Sequence, residues 1–173
     1  MALDNLTANV QAVVNWYAAK SNGASFADTV DQDAIKITQA FAYGTASEQV
    51  NQIYADERTI SAATPVDDID LSGILTDFFS GDLIRFTSIK VIFVYNENQT
   101  ELHILYMGGN TGNALFRGAS LCGVPVYPGG VQLLTAPFAG IPVSNGVNDV
   151  LRLEHGGGTQ DITYMVIVLG VGT

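Results

Sequence analysis

The chain has 173 residues, 47% hydrophobic and 14% charged; it is too apolar for a disordered polypeptide, long enough for one well-buried domain and too short for two of ordinary size. Seven Lys and Arg against 17 Asp and Glu give a net charge of -10, which argues against attraction to phosphate backbones or anionic lipid and leaves nucleic acid and membranes as unexpected partners. Cys122 is the single cysteine, so no intrachain disulfide can form, and the segment after Met1 lacks the basic and apolar regions of a secretory signal; both features are those expected of synthesis in a reducing cytoplasm.

Residues 6–18 carry two periodicities. Leu6, Val10, Val13, Val14 and Tyr17 fit a helical stripe, whereas Leu6, Ala8, Val10, Ala12, Val14, Trp16 and Ala18 fit strict alternation with a mostly polar opposite face. The alternating set matches better and predicts a half-buried strand, with a helix as the competing reading. Residues 21–25 are loop material, and Asp28 to Asp33 keeps three carboxylates in a solvated segment. Residues 1–33 thus read as an N-terminal strand or arm followed by a loop, and residues 34–173 as the main domain.

In that domain Ile35, Ile37, Gln39, Phe41 and Tyr43 alternate as a second strand ending at Gly44, and residues 49–60 form a third. Residues 66–71 alternate Val66, Asp68 and Asp70 against Asp67, Ile69 and Leu71, the pattern of a short edge strand whose outward acids block unwanted pairing. Residues 74–79 read as a helical turn or wide loop with Phe78 and Phe79 plugging the core. Phe86 to Tyr95, rich in β-branched and aromatic residues, is the clearest strand, and Asn96 to Gln99 turns it into residues 101–107 as a hairpin. Residues 108–113 are a glycine-rich loop.

No charged residue occurs from Gly118 through Asn148. Pro125, Pro128, Pro137 and Pro142 exclude a membrane helix there, so the window reads as buried β structure around a Pro128-Gly129-Gly130 turn, and the chain as organised around it. Residues 147–155 and 162–169 are the last two strands, joined by Gly156-Gly157-Gly158. Fourteen of the 17 carboxylates lie at or before Glu101, and the charge-poor C-terminal part fits interior strands or a covered docking surface. Eight to ten strands at this spacing predict an all-β, jelly-roll-like β-sandwich with an N-terminal extension.

The catalytic motifs are incomplete. His155-Gly156-Gly157-Gly158 resembles an oxyanion-hole loop, but the serine match at Ser120 has its second glycine one residue late, so a loop between strands is the better reading. Cys122 with His103 or His155 would be a nucleophile and base, although a cysteine among apolar neighbours is ordinarily a core residue. Asp67, Asp68 and Asp70 offer oxygens to a hard cation, yet alternation puts Asp67 on the face opposite the other two. The two histidines and one cysteine lack zinc spacing, and residues 108–112 lack the ending of a phosphate loop. Asn5-Leu6-Thr7 and Asn98-Gln99-Thr100 fit the glycosylation tripeptide but carry no meaning without a signal. No catalytic, cofactor-binding or metal residues, and no cofactor, are expected.

Tyr43-Gly44-Thr45-Ala46-Ser47 leading to Asp56-Glu57-Arg58-Thr59, then Asp70-Leu71-Ser72-Gly73-Ile74-Leu75-Thr76-Asp77, Ile89-Lys90-Val91-Ile92, Pro128-Gly129-Gly130-Val131 and the hydrophobic run 163–170 stand in one order along the chain. That order resembles a group of small tailed-bacteriophage virion proteins with a YGTGA-like loop, a D-x-R-T strand, a D-L-x-G-x-L-T-D segment, an I-K-x-I strand, a P-G-G-V turn and a hydrophobic last strand. The loop here lacks the second glycine, and Phe78-Phe79 replaces a smaller pair. Such proteins are similar to capsid decoration, or cement, proteins with jelly-roll folds. The resemblance implies a non-enzymatic protein on the outer surface of a phage head, bound to the major capsid protein, commonly as a homotrimer. The alternative is a tail or baseplate jelly-roll module that binds a receptor or carbohydrate, with Tyr95, Tyr106 or Tyr127 stacking on sugar rings.

Overall fold

A computed structural model of the protein describes residues 6–20, 29–73, 75–76, 81–99, 103–108, 114–116 and 123–173, with only the backbone described for 16–20 and 29–34. Among these residues the regular structure is all β. It comprises β1 (Ala8–Lys20), β2 (Thr29–Tyr43), β3 (Gln49–Val50), β4 (Gln52–Ile60), β5 (Val66–Asp70), β6 (Leu75–Thr76), β7 (Leu83–Ile84), β8 (Phe86–Asn96), β9 (Leu105–Met107), β10 (Val124–Val126), β11 (Val131–Thr135), β12 (Ile141–Pro142), β13 (Val150–His155) and β14 (Ile162–Gly172).

Two sheets form the body. One has the order β11-β8-β14-β4, with β12 also on β8; the other has the order β10-β9-β13-β5. Period-2 alternation sorts their side chains. Ile60, Phe86, Ile92, Val94, Ile162, Tyr164, Val166 and Val168 of the first sheet meet Ile69, Leu105, Met107, Val126, Leu151 and Leu153 of the second in a single core, which is the packing of a β-sandwich. Successive strands alternate between the sheets: β4 leads to β5, β8 to β9, β10 to β11 and β13 to β14.

β1 and β2 form a separate antiparallel ribbon, paired from Ala8↔Phe41 to Lys20↔Thr29. The alternation in residues 6–18 therefore does mark a strand. The polar run before residue 34 is not a loop throughout, because cross-strand pairing to β1 extends β2 back to Thr29. β3 joins the ribbon's base in parallel, with Ala42↔Gln49 and Tyr43↔Val50.

Several expectations need correction. β8 and β9 are not a hairpin, since β9 lies in the opposite sheet. Asn96, 0% exposed, fixes this crossing by donating from Nδ2 to the His103 carbonyl (2.7 Å) and the Val126 carbonyl (2.9 Å). Residues 75–76 are a short strand paired with β7 rather than a helical turn, while Phe78 and Phe79 lie outside the described residues. The uncharged window does make its turn, with Gly130 N–H donating to the Tyr127 carbonyl at 2.8 Å and Gly129 at φ 69°, as a type II turn requires. It is not the organising core, however. β10 and β11 are edge strands, and Tyr127, Val131 and Phe138 are exposed. The centre of the larger sheet is instead β8 and β14, which hold most of the fully buried side chains there.

Candidate interaction surface

The acidic triplet is committed to structure. Asp67 shares the inward face with Ile69 and Leu71, where it accepts from Arg58 Nε (2.7 Å), Arg58 Nη2 (2.8 Å) and the Tyr164 hydroxyl (2.7 Å). Arg58 and Tyr164 belong to one sheet and Asp67 to the other, so this group ties the sandwich together. Burial pushes the Asp67 carboxyl up, but the Arg58 and Tyr164 hydrogen bonds outweigh it and hold the group below the usual carboxylate range. Burial and then the bond to Asp67 push the Tyr164 hydroxyl up. Asp68 pairs across the strands with Arg152, through Nε (2.7 Å) and Nη2 (2.6 Å). Asp70 accepts from Ser72 N–H (3.0 Å) and Oγ (3.1 Å). Three carboxylates thus have three different partners. An open depression of about 260 Å3 beside them is lined by Tyr54, Asp56, Arg58, Asp68 and Asp70, but Arg58 is already held by Asp67, Asp56 and Tyr54. No group of three or more His, Cys, Asp or Glu suited to a metal occurs among the described residues.

The glycine-rich loop is also committed. Gly156 N–H donates to the Ile104 carbonyl (2.7 Å) and Gly157 N–H to His155 Nδ1 (3.0 Å), while His155 Nε2 lies 2.7 Å from the Gln160 carbonyl. Neither amide is left for an oxyanion, and the loop carries the chain from β13 to β14 in the other sheet. Ser120 and Cys122 lie outside the described residues. His103 is buried, and its Nδ1 has no hydrogen-bond partner among the described residues. Of the tyrosines, Tyr95 is on β8 and Tyr106 on β9, in different sheets, and Tyr106 is braced against Gly123 and Gly156. Of Tyr95, Tyr106 and Tyr127 only the last is well exposed, so the structure assembles no aromatic platform from the three.

What the fold does present is apolar surface. The outer face of the larger sheet carries cross-strand rows: Thr135, Val91, Leu169 and Ile53; then Leu133, Phe93, Ile167 and Ala55; then Val131, Tyr95, Met165 and Glu57. The base of the β1-β2 ribbon covers the first part of this face. Phe41, with Leu6, Ala8 and Val10, packs on Val91, Leu169, Ile53, Leu133 and Ile167 as a second hydrophobic cluster. The last row is uncovered, with Val131 60% and Met165 36% exposed.

Beyond its base the ribbon leaves the body. Residues 11–15 and 35–38 are exposed, on both faces. One face continues the buried row Ala8↔Phe41 through Val10 to Ala12↔Ile37 and Val14↔Ile35, and Val14, Ile35 and Ile37 are 62%, 56% and 65% exposed. Burying each such side chain would contribute about 1.5–3 kcal/mol, and an isolated two-stranded ribbon is marginal in water. An arm built this way is stable when something covers it. Alternation in residues 6–18 and 35–43 marks the two strands in the sequence, whereas their full lengths of 13 and 15 residues, greater than strands of a compact body usually reach, come from the pairing of one with the other.

No protein-family model, curated protein or solved structure matches the chain.

Proposed function

We propose that the protein is a structural component of a phage virion that binds the outside of the head, on the major capsid protein, and stabilises the shell as a homotrimeric decoration protein. The observation that carries this reading is the contrast just described. The acids and the glycine loop are used internally, while apolar side chains on the arm and on the outer face of the larger sheet are left to solvent. Such a surface suits permanent association better than turnover of a small molecule. The ordered motifs from Tyr43 to Gly170 support the same reading by resemblance.

We also infer that the sandwich is a jelly roll. In chain order the eight strands β4, β5, β8, β9, β10, β11, β13 and β14 alternate between sheets in pairs, with the first and last side by side, an arrangement that fits two interleaved Greek keys. A fold of this kind presents its loops and one sheet face to a neighbour without an active site.

The test is the copy number of the chain relative to the major capsid protein in purified particles, by quantitative mass spectrometry. Hundreds of copies per particle are the expected result. A handful would move the protein to the tail or baseplate, and none would overturn the reading.

A further inference from the structure

We infer that the β1-β2 arm is the subunit contact: its outer half, residues 11–15 and 35–38, lies on the uncovered row Val131, Tyr95, Met165 and Glu57 of a second copy of the same chain. The inference rests on the oligomeric part of the proposed function and is independent of what the oligomer binds.

Three observations choose this occupant. The first is continuity. The chain already packs the inner half of the arm's apolar face, Phe41, Ala8 and Val10, on the inner rows of the same outer sheet face. The rest of that arm face and the last row of that sheet face are both bare, so each is the kind of surface the other is known to fit.

The second is length. Ten residue pairs of the ribbon extend past Val10, from Gln11↔Thr38 to Lys20↔Thr29, a reach of roughly 33 Å at about 3.3 Å per residue. That is close to the roughly 36 Å of an 11-residue strand such as β8 or β14. The arm can therefore cross a whole neighbouring sheet.

The third is charge. Lys36 is the single charged side chain among residues 6–15 and 35–43, and it stands opposite Val13 on the ribbon's other face, so the face that carries Ala12, Val14, Ile35 and Ile37 is uncharged. Glu57 stands at the end of the bare row, opposite Met165. Neither has an ion-pair partner among the described residues, and both are exposed. The arm face that docks therefore brings no charge to the row, whose one carboxylate, Glu57, stands at its end, so chains of -10 each meet there through apolar contact without opposing like charges. Because the arm of one copy meets the sheet of the next, the contact is head-to-tail and closes into a ring, a trimer being the simplest that fits the proposed function.

The experiment measures the mass of the full-length protein by sedimentation and maps the contact by mixed disulfide trapping. The wild type is expected to sediment as an oligomer. Ile35→Glu with Ile37→Glu should sediment as a monomer with the body's thermal transition retained. Val14→Glu should raise the dissociation constant by about tenfold or more, whereas Lys36→Glu, on the ribbon's other face, should change it by less than about twofold. In a Cys122→Ser background, a chain with Val14→Cys mixed with a chain with Met165→Cys should form the mixed disulfide. An oligomer unaffected by the arm variants, with no mixed disulfide, would overturn the inference while leaving the homotrimer standing. A monomeric wild type at tens of micromolar would overturn both.

Discussion

The hydroxyl of Tyr164, a side chain with no exposure, donates to Asp67 Oδ2 across the interior of the sandwich at 2.7 Å. Asp67 also receives both forks of Arg58, so one carboxylate satisfies three donors from the opposite sheet. Tyr164→Phe should cost about 1–2 kcal/mol, because Asp67 keeps its Arg58 bonds. Asp67→Ala should cost about 2–3 kcal/mol, because it leaves a buried hydroxyl unpaired and removes two hydrogen bonds from a half-buried guanidinium that keeps only Asp56 and Tyr54. Urea unfolding checks both, as a lower midpoint with unchanged slope.

The same group sets a dependence on pH. The Asp67 carboxyl is depressed in the folded chain, so its contribution is present above about pH 4, the unfolded value. It is lost as pH falls through the lower folded value. At the alkaline end, burial and then the Asp56 hydrogen bond push the Tyr54 hydroxyl up to about 12. Its contribution is present below about pH 10 and is lost as pH rises toward 12. Thermal melts of wild type, Asp67→Asn and Tyr54→Phe across pH check this, each variant flattening its own limb.

Gly170 sits where the pairing of β14 with β8 shifts register. A Cβ there would stand 2.4 Å from the Ser88 carbonyl oxygen and 2.8 Å from Phe86 Cδ1. The first is backbone in the central strand and has little room to yield. Gly170→Ala should therefore cost about 1–3 kcal/mol, whereas Gly146→Ala meets no atom within 4 Å but strains a φ of 70°, and should cost about 1 kcal/mol. Melting temperatures rank the two.

Attachment to a capsid through the charge-poor surface should be carried by apolar burial more than by ion pairs. Raising the salt concentration should then weaken it only modestly. Co-sedimentation with undecorated capsids at increasing ionic strength measures this, and release by moderate salt is the contrary outcome.

Strand content was legible because alternation and β-branched runs are local properties, and β8, β13 and β14 stand close to where they were read. Partnering was not. Nothing near Asn96 distinguishes a hairpin from a crossing to the other sheet; the buried amide that holds His103 and Val126 decides it, and those partners are 7 and 30 residues away. The uncharged window reads as interior in the sequence because exposed edge strands such as β10 and β11 can lack charge as core strands do. Asp67 was placed on the right face by its parity with Ile69 and Leu71, but its bonds to Arg58 and Tyr164 depend on how the two sheets meet. The arm was legible as a strand, and its emergence from the body was not.

The strand β14 lies between β4 and β8, pairing Ile162 with Ile60 and Tyr164 with Asn96. Until β14 has been synthesised, those two strands have no common neighbour in the sheet. Such non-local closure is slow. Folding of the sandwich is therefore gated by the synthesis of β14, and a chain that lacks this one strand would be a substrate for aggregation or proteolysis rather than a smaller working domain.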